Sequence, residues 1–565
     1  MGRVNAVILF RGLITALMIF FILYPLGMIF YAGFLKGSPA NPGGYDLEGF
    51  RRAYSNPALP RLIWTTLWLA LCRSCISTTL AIAVTWIITR TNTPLRHFFE
   101  RIFVFKFFLP YLPIILAWVL LFQRDVGMFN MFLERVIGLP RSPIDINSYG
   151  GIIFASVMGM FPFLIIFLIP AFRNVDSSLE EASRMSGASW FTTIWKIYLP
   201  LLRPAIFAAF IISFVLAIES FETELFLGFD KGIRVFTTAI FENIFFRNPP
   251  RFQDAMALSS ALFLTTITLI VIQWKLLGTK EYTTISGKQY AVRPIDLGAW
   301  RYVTCGIVVA FLFLVLLLPL AVLVQGSFMK IIGYFQHDMY TLEYWKEALA
   351  SEGLMEALKN TIIVAVVCAT VGMGFCSVIA YLVVRTKFKE RKLLDIMAWL
   401  PWAVPRLVLS LGFLWAFLLF PPTSFLYGTM GILIIALMIK SLPLGTRLMS
   451  TTMIQIHKEL EESSWVHGAS TAQTFWRILV PLLLGAFLSG WILLFTLAAK
   501  DLSTVILLYG PNSSVLSTVV FEHWDGGWMQ SAVVVGLIQT LVLLVAYIVS
   551  QRFLSRLSRT VSYAG

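Results

Sequence analysis

Five ionisable side chains stand inside or at the edge of long apolar runs of this sequence. They are Glu219, Glu222, Glu224, Lys500 and Asp501. A charge at membrane depth is costly and usually faces a cavity or a partner. Lys500 lies 281 positions after Glu219 (219 to 500), and Asp501 follows it. Counted from Arg203, Glu219 is 16 residues along a helix, or about 24 Å at ~1.5 Å per residue. That is the outer half of an apolar core about 30 Å thick. Two uses of this set stay open: Glu219 and Lys500 approach each other and line or close a polar pathway, or they sit at the outer interface and hold local loops. Carboxylate oxygens suit hard cations, so a metal role stays unknown. Arg73, within Cys72-Arg73-Ser74, would favour an anion or point at a neighbouring helix.

A second set of residues repeats. In 177–200, Glu181, Ala182 and Ser183 precede Gly187, Ile197, Leu199 and Pro200. In 458–481, Glu462, Ser463 and Ser464 precede Gly468, Ile478, Val480 and Pro481. Each landmark recurs 281 positions on (181 to 462, 187 to 468, 200 to 481). Ser177 and Glu180 stand at capping-box spacing, which predicts a short helix there. Gly187 supplies a place where that helix can stop and turn. A second short helix is expected next, with Trp190, Phe191, Ile194, Trp195 and Tyr198 on one face, and Ala472, Phe475, Trp476 and Leu479 on its copy. Such a stripe should lie flat on the membrane side of the protein. Pro200 and Pro481 should each open the next span, within the first helical turn.

The elements that hold these residues are membrane spans. Of 565 residues 58% are hydrophobic and 13% charged, with mean hydropathy +0.80. A soluble domain could not cover so much apolar surface. About twelve spans are predicted, near 13–34, 62–88, 102–122, 151–172, 205–227 and 255–277, then 302–324, 358–384, 393–420, 431–449, 482–508 and 531–548. The first is too long for a signal-peptide core and should remain. The net charge of +14 resides in short loops between spans, which argues for membrane orientation and against nucleic acid. The loop 385–392 holds five cations against Glu390, whereas 421–427 has no charge. These loops share one side if both termini are cytoplasmic, which puts both polar segments there too. An even number of spans per half makes the halves parallel repeats about an axis along the membrane normal. Arg90-Thr91 returns as Arg385-Thr386, and Val235-Phe236-Thr237-Thr238 as Val515-Leu516-Ser517-Thr518. The expected fold is therefore all-α and polytopic. Repeats at 1–280 and 301–565 flank a cytoplasmic linker at 281–300.

The two polar segments resemble the EAA loop, Glu-Ala-Ala-x3-Gly-x9-Ile-x-Leu-Pro, of permeases in binding-protein-dependent ABC importers. The second copy departs from it at Ser463, Ser464 and Val480. Within that family the chain is most similar to fused ferric-iron-type permeases. Ala499-Lys500-Asp501-Leu502-Ser503-Thr504 is similar to their Lys-Glu-Leu-x-x-Thr signature, and Ser220-Phe221-Glu222 through Gly232–Thr238 to a stretch of their first half. The resemblance implies a type I importer permease fold in a bacterial cytoplasmic (inner) membrane. It implies a gated pathway between the repeats, two cytoplasmic ATPase subunits and an extracytoplasmic binding protein. Glu181, Ala182, Gly187, Pro200, Glu462, Gly468 and Pro481 would then couple to the ATPases. The chain contains no Gly-x4-Gly-Lys-Ser/Thr phosphate loop. ATP and Mg would therefore be used by the partner, and the chain itself is expected to be neither an enzyme nor a cofactor carrier.

Ferric iron is the expected solute; a phosphonate, thiamine or polyamine-like solute is the alternative within the class. An ion-coupled carrier is the alternative outside it. That class would need a run of buried acids or broken helices near the midplane. The five cysteines and five histidines show no metal-ligand spacing.

Overall fold

The computed structural model describes residues 2–139, 144–175, 182–183, 185–277, 294–331 and 339–562. Ser177, Glu180 and Glu181 lie outside the described residues, as does most of the linker. Among the described residues, ten helices are long and apolar enough to cross a membrane, and counting each of two bent helix pairs as one span gives twelve. The twelve predicted spans match these elements, with three differences of shape.

First, the third span of each half is broken. Arg96–Phe108 and Tyr111–Phe122 meet at 97°, and Arg391–Ala403 and Arg406–Leu419 at 113°. The breaks fall at Leu109-Pro110 and Val404-Pro405, where the residue before proline is pushed out of the α region. Both prolines hold extended backbone, with ψ of 137° and 139°. Second, the fifth span of each half stops early. Ile194–Ile218 and Ala472–Lys500 replace the expected 205–227 and 482–508. A separate helix, Glu222–Gly228, follows the first, and buried turns around Leu502–Leu508 follow the second.

Third, the short helix expected before Pro200 is no separate element. Trp190–Thr193 runs through a π turn at Ile194–Tyr198 into Leu199–Ile218. The copy does the same through Phe475–Leu479. Two more π turns, Ile19–Leu23 and Phe313–Leu317, precede Pro25 and Pro319. In all four, the residue just before proline donates its N–H five residues back. Proline has no N–H and its ring clashes with the carbonyl four residues earlier. One wide turn absorbs that clash without breaking the helix.

Packing divides the chain into two compact units. One comprises Met1–Asn56, Ala239–Leu264 and Glu343–Gly565; the other, Pro57–Thr238 and Thr265–Leu342. Compactness thus cuts the chain differently from sequence repetition. The first span, Leu9–Phe34, packs with the bent third span of the second half: Phe20 meets Phe420 at 5.7 Å and Phe21 stacks on Phe417. Gly412 allows this approach, since a Cβ there would stand 2.6 Å from the Pro25 carbonyl oxygen. Conversely, Trp300–Ser327 belongs with the spans of the first half, and Phe311 lies 4.4 Å from Phe161. Around that contact, Ala81, Val84, Phe99, Phe103, Leu164, Leu168, Phe172 and Leu312 form a buried core. A small antiparallel hairpin, Leu35–Ser38 with Asn41–Tyr45, follows the first span.

Candidate coupling segments and pathway residues

Gly187 and Gly468 adopt φ of 77° and 81°, the left-handed conformation in which side chains are strained. Around them the two segments repeat their main bonds. The Ala188 N–H donates to the Ser183 carbonyl, and the Ala469 N–H to that of Ser464, both at 3.1 Å. Ser183 and Thr193 hydroxyls lie 2.9 Å apart, as do those of Ser464 and Thr474. Each threonine hydroxyl also donates to the carbonyl of the residue that starts its helix, Ser189 or Ser470. Ser470 and Gln473 complete a reciprocal cap, with Gln473 N–H to Ser470 Oγ and Ser470 N–H to Gln473 Oε1.

Burial also repeats. Thr193 and Tyr198 are sealed, as are Thr474 and Leu479. Trp195 and Trp476 face outward instead, 59% and 67% exposed. The expected single apolar face is therefore divided: the hydroxyl and the residue before the proline-containing turn face in, and the tryptophans face out. Ala182, Gly187, Glu462, Gly468 and Pro481 are exposed and Pro200 is half-buried, so most of this surface is open to a partner.

The fifth spans end differently from expectation. Glu219 caps Ile194–Ile218, and Glu222 and Glu224 sit in the first turn of the next helix, where the helix dipole favours acids. Glu219 and Glu222 are half-buried, whereas Glu224 is fully sealed. Arg73 takes up Glu224: its Nη1 donates to Glu224 Oε1 and to Ser156 Oγ, its Nη2 to the Ala217 carbonyl and its Nε to that of Leu69. Ser220 Oγ donates to the other carboxylate oxygen at 2.6 Å. Arg73 is thus an internal tie, with all three of its nitrogens engaged.

In the second half, Lys500 ends its helix and Asp501 turns the chain, accepting the Thr504 N–H at 2.6 Å. Arg406 Nη1 stands 3.7 Å from Asp501 Oδ2. Glu219 and Lys500 belong to different compact units. Among the described residues, no group of three His, Cys, Asp or Glu side chains is arranged to hold a metal ion.

Two interactions were not foreseen as such. Arg90 and Arg385, read in the sequence as repeat and orientation markers, reach across to the polar segments. Arg90 Nε donates to the Tyr198 hydroxyl at 2.9 Å and Nη2 to the Val175 carbonyl at 2.8 Å. Arg385 Nη2 donates to the Met453 and Ile456 carbonyls at 2.9 and 2.6 Å. Its Nε lies 2.8 Å from Glu461 Oε1, a close ion contact at an angle too bent for a hydrogen bond. Burial pushes the Glu461 carboxyl above its ordinary range, while Arg385 and Lys458 pull it down. The signal was the repeated Arg-Thr pair, which orientation alone does not require.

A duplicated bundle of apolar helices carrying paired, exposed polar turns is the architecture of a membrane transport component. Residues 77–275 and 372–560 each match the binding-protein-dependent transport system inner membrane component family, and the chain belongs to it. It is a multi-pass inner membrane permease subunit of the ABC importer class. It is 28% identical over 543 residues to the ferric transport system permease protein FbpB of Actinobacillus pleuropneumoniae, covering 94% of this chain and 76% of that one. It is 23% identical to the Fe(3+)-transport system permease protein FbpB 2 of Haemophilus influenzae, covering 67% and 71%. It is 26% identical to the sulfate transport system permease protein CysT of a Synechocystis strain, covering 43% and 85%. Among solved structures, a bacterial ABC transporter that imports the acidic polysaccharide alginate aligns with TM-score 0.39 and 18% identity, over 45% of this chain and 94% of that one.

Proposed function

We propose that this permease moves ferric iron inward and is driven by ATPase subunits seated on the segments around Gly187 and Gly468. The observation that carries the ATPase reading is the repeated geometry of those segments. Each pairs a left-handed glycine with a serine–threonine clasp of 2.9 Å. A rigid, duplicated, exposed turn suits a pair of identical pushing partners. ATP binding would draw the two ATPases together, move both turns and tip the repeats from inward-open to outward-open; solute would pass inward after hydrolysis. Coupling of this kind requires the turns to contact the ATPase differently in its two states.

Both turns, both termini and the linker are assigned to the cytoplasm. An extracytoplasmic binding protein delivers the solute, and Glu219, Glu222, Lys500 and Asp501 line or close the path. Ferric iron is favoured because the first ferric relative covers 94% of the chain and the sulfate relative 43%. The test is the chain purified with the ATPase it captures, reconstituted in liposomes and given ferric iron on a binding protein. Iron uptake should require ATP. Uptake driven by an ion gradient without the ATPase would reverse the assignment. So would labelling of Ser186→Cys and His467→Cys from opposite faces of the membrane.

A further inference from the structure

We infer that Arg90 and Arg385 are positioning residues that fasten each coupling segment to the second span of its half, so that a push on the segment moves that span. The inference rests on the reading of these segments as ATPase seats. Arg90 ends the helix Leu59–Arg90 and Arg385 ends Glu352–Arg385. Each side chain is almost completely sealed: Arg90 is 1% exposed and the Arg385 side chain 4%. Their main acceptors are repeat equivalents. Val175 and Ile456 stand 281 positions apart (175 to 456), and each is where the chain leaves the fourth span and enters the polar segment.

The physical basis is the end of a helix. The last-turn carbonyls of a helix such as Met430–Gln455 find no acceptor role in a further turn, and they form its negative pole. A guanidinium there neutralises the pole and holds several acceptors in one plane, which a lysine could not do. Arg385 reaches the last-turn carbonyl of Met453 and the cap carbonyl of Ile456, and adds Glu461, in the first helix of its segment, Glu459–Val466. Arg90 reaches the Val175 carbonyl, two residues past the helix end at Arg173, and adds the Tyr198 hydroxyl, near the far end of its segment. The first clasp therefore joins entry to exit, and the second joins entry to the first helix of the segment. Leu479 replaces Tyr198 at the repeat position and has no hydroxyl to offer.

The same corner of the first half also receives the end of the linker. The Ile295 N–H donates to the Arg90 carbonyl, and Asn92 Nδ2 donates to Asp296. The Arg90 turn is thus a junction of second span, coupling segment and linker, held by polar bonds that run from the buried Arg90–Tyr198 contact to the exposed Asn92–Asp296 one.

The test uses the full chain with its ATPase in liposomes and iron on a binding protein, reading ATPase retained, iron uptake, and ATP hydrolysed per iron. Arg90→Met and Arg385→Met should each keep the ATPase bound, lower uptake by about tenfold, within the range of coupling free energies between linked sites, and raise ATP consumed per iron. Arg385→Lys should recover part of the uptake through one donor. Tyr198→Phe removes one hydroxyl without altering packing and should raise the ATP-to-iron ratio more mildly. An unchanged ratio in both methionine variants overturns the inference and leaves the ATPase seat intact. Loss of ATPase and of folded chain together, with Tyr198→Phe at the wild-type ratio, also overturns it by reducing the arginines to scaffolding. A wild-type chain that captures no ATPase removes both readings.

Discussion

Arg73 and Glu224 form an ion pair sealed from solvent and lipid alike, 1% and 0% exposed, though 151 residues separate them. Breaking a buried pair leaves an uncompensated charge, at a cost of about 3–5 kcal/mol. Arg73→Leu and Glu224→Leu should each lower thermal stability in detergent by that order. Replacing both removes both charges, and the double variant should recover most of the loss. A single variant as stable as wild type would show that the pair does not hold Glu222–Gly228 to the second span.

The left-handed backbone at Gly187 and Gly468 gives a graded expectation. An ideal Cβ at either position meets nothing within 4 Å, so a substitution there is opposed by conformation alone. Left-handed backbone costs a side-chain-bearing residue roughly 1–2 kcal/mol, and asparagine least. Proline cannot adopt it at all, because its φ is fixed near −65°. Asparagine at 187 or 468 should therefore retain coupled ATP hydrolysis, valine reduce it, and proline abolish it while insertion persists. Hydrolysis by the reconstituted complex, with and without loaded binding protein, measures the series. Equal hydrolysis across it would dissociate these turns from coupling.

The serine–threonine clasps can be caught covalently. Ser183 and Thr193 oxygens lie 2.9 Å apart, as do those of Ser464 and Thr474. Paired cysteines at 183 and 193, or at 464 and 474, should cross-link under mild oxidation and slow coupled hydrolysis if the turn must flex. Thr193→Val and Thr474→Val remove one hydroxyl each and should cost about 1 kcal/mol, the usual worth of a hydrogen bond. Failure of the cysteine pairs to oxidise would place the paired positions of each segment further apart than described.

Much of this was legible in the sequence because apolar length and landmark spacing survive without tertiary context. The span positions and both glycine turns follow from runs of leucine, isoleucine and phenylalanine and from a fixed offset. Span shape was less legible. The bends at Pro110 and Pro405 and the π turns before Pro200 and Pro481 depend on how neighbours accept the freed carbonyls, which spacing does not encode. The early stop at Ile218 escaped because Phe221, Leu225 and Phe226 keep the run apolar while Glu222–Gly228 turns away. Nor does periodicity reveal that Leu9–Phe34 packs with the second half, since any apolar face suits lipid and protein equally. Arg73 was visible as a buried cation, but Glu224 is 151 residues away and only folding names it as the partner.

Glu219 and Lys500 carry opposite charge at equivalent positions of the two repeats. If they meet along the path, Glu219→Lys and Lys500→Glu should each reduce iron uptake well below wild type, and the double exchange should restore a measurable part. Like charges at close range repel, and exchange recreates attraction. A double variant no better than either single would return the two residues to local roles at their own helix ends.

Acid should weaken the protein through His523. Its ring packs edge-on against Trp528 at 5.7 Å and borders a cavity of about 330 Å³ that Glu347, Glu356 and Glu522 also line. Burial lowers its pKa below the ordinary 6.5, against smaller opposing effects from the Ser531 backbone and Glu522. The folded protein therefore binds fewer protons than the unfolded chain between the lowered value and 6.5, and stability rises with pH across that window. The full contribution is present above 6.5 and is lost as pH falls from there through the lowered folded-state value, because protonation in that window favours the unfolded state. His523→Gln, which does not titrate, should flatten that part of a melting-temperature profile recorded in detergent on both sides of about pH 6.5. A variant whose profile keeps the wild-type slope would assign the acid sensitivity to other groups.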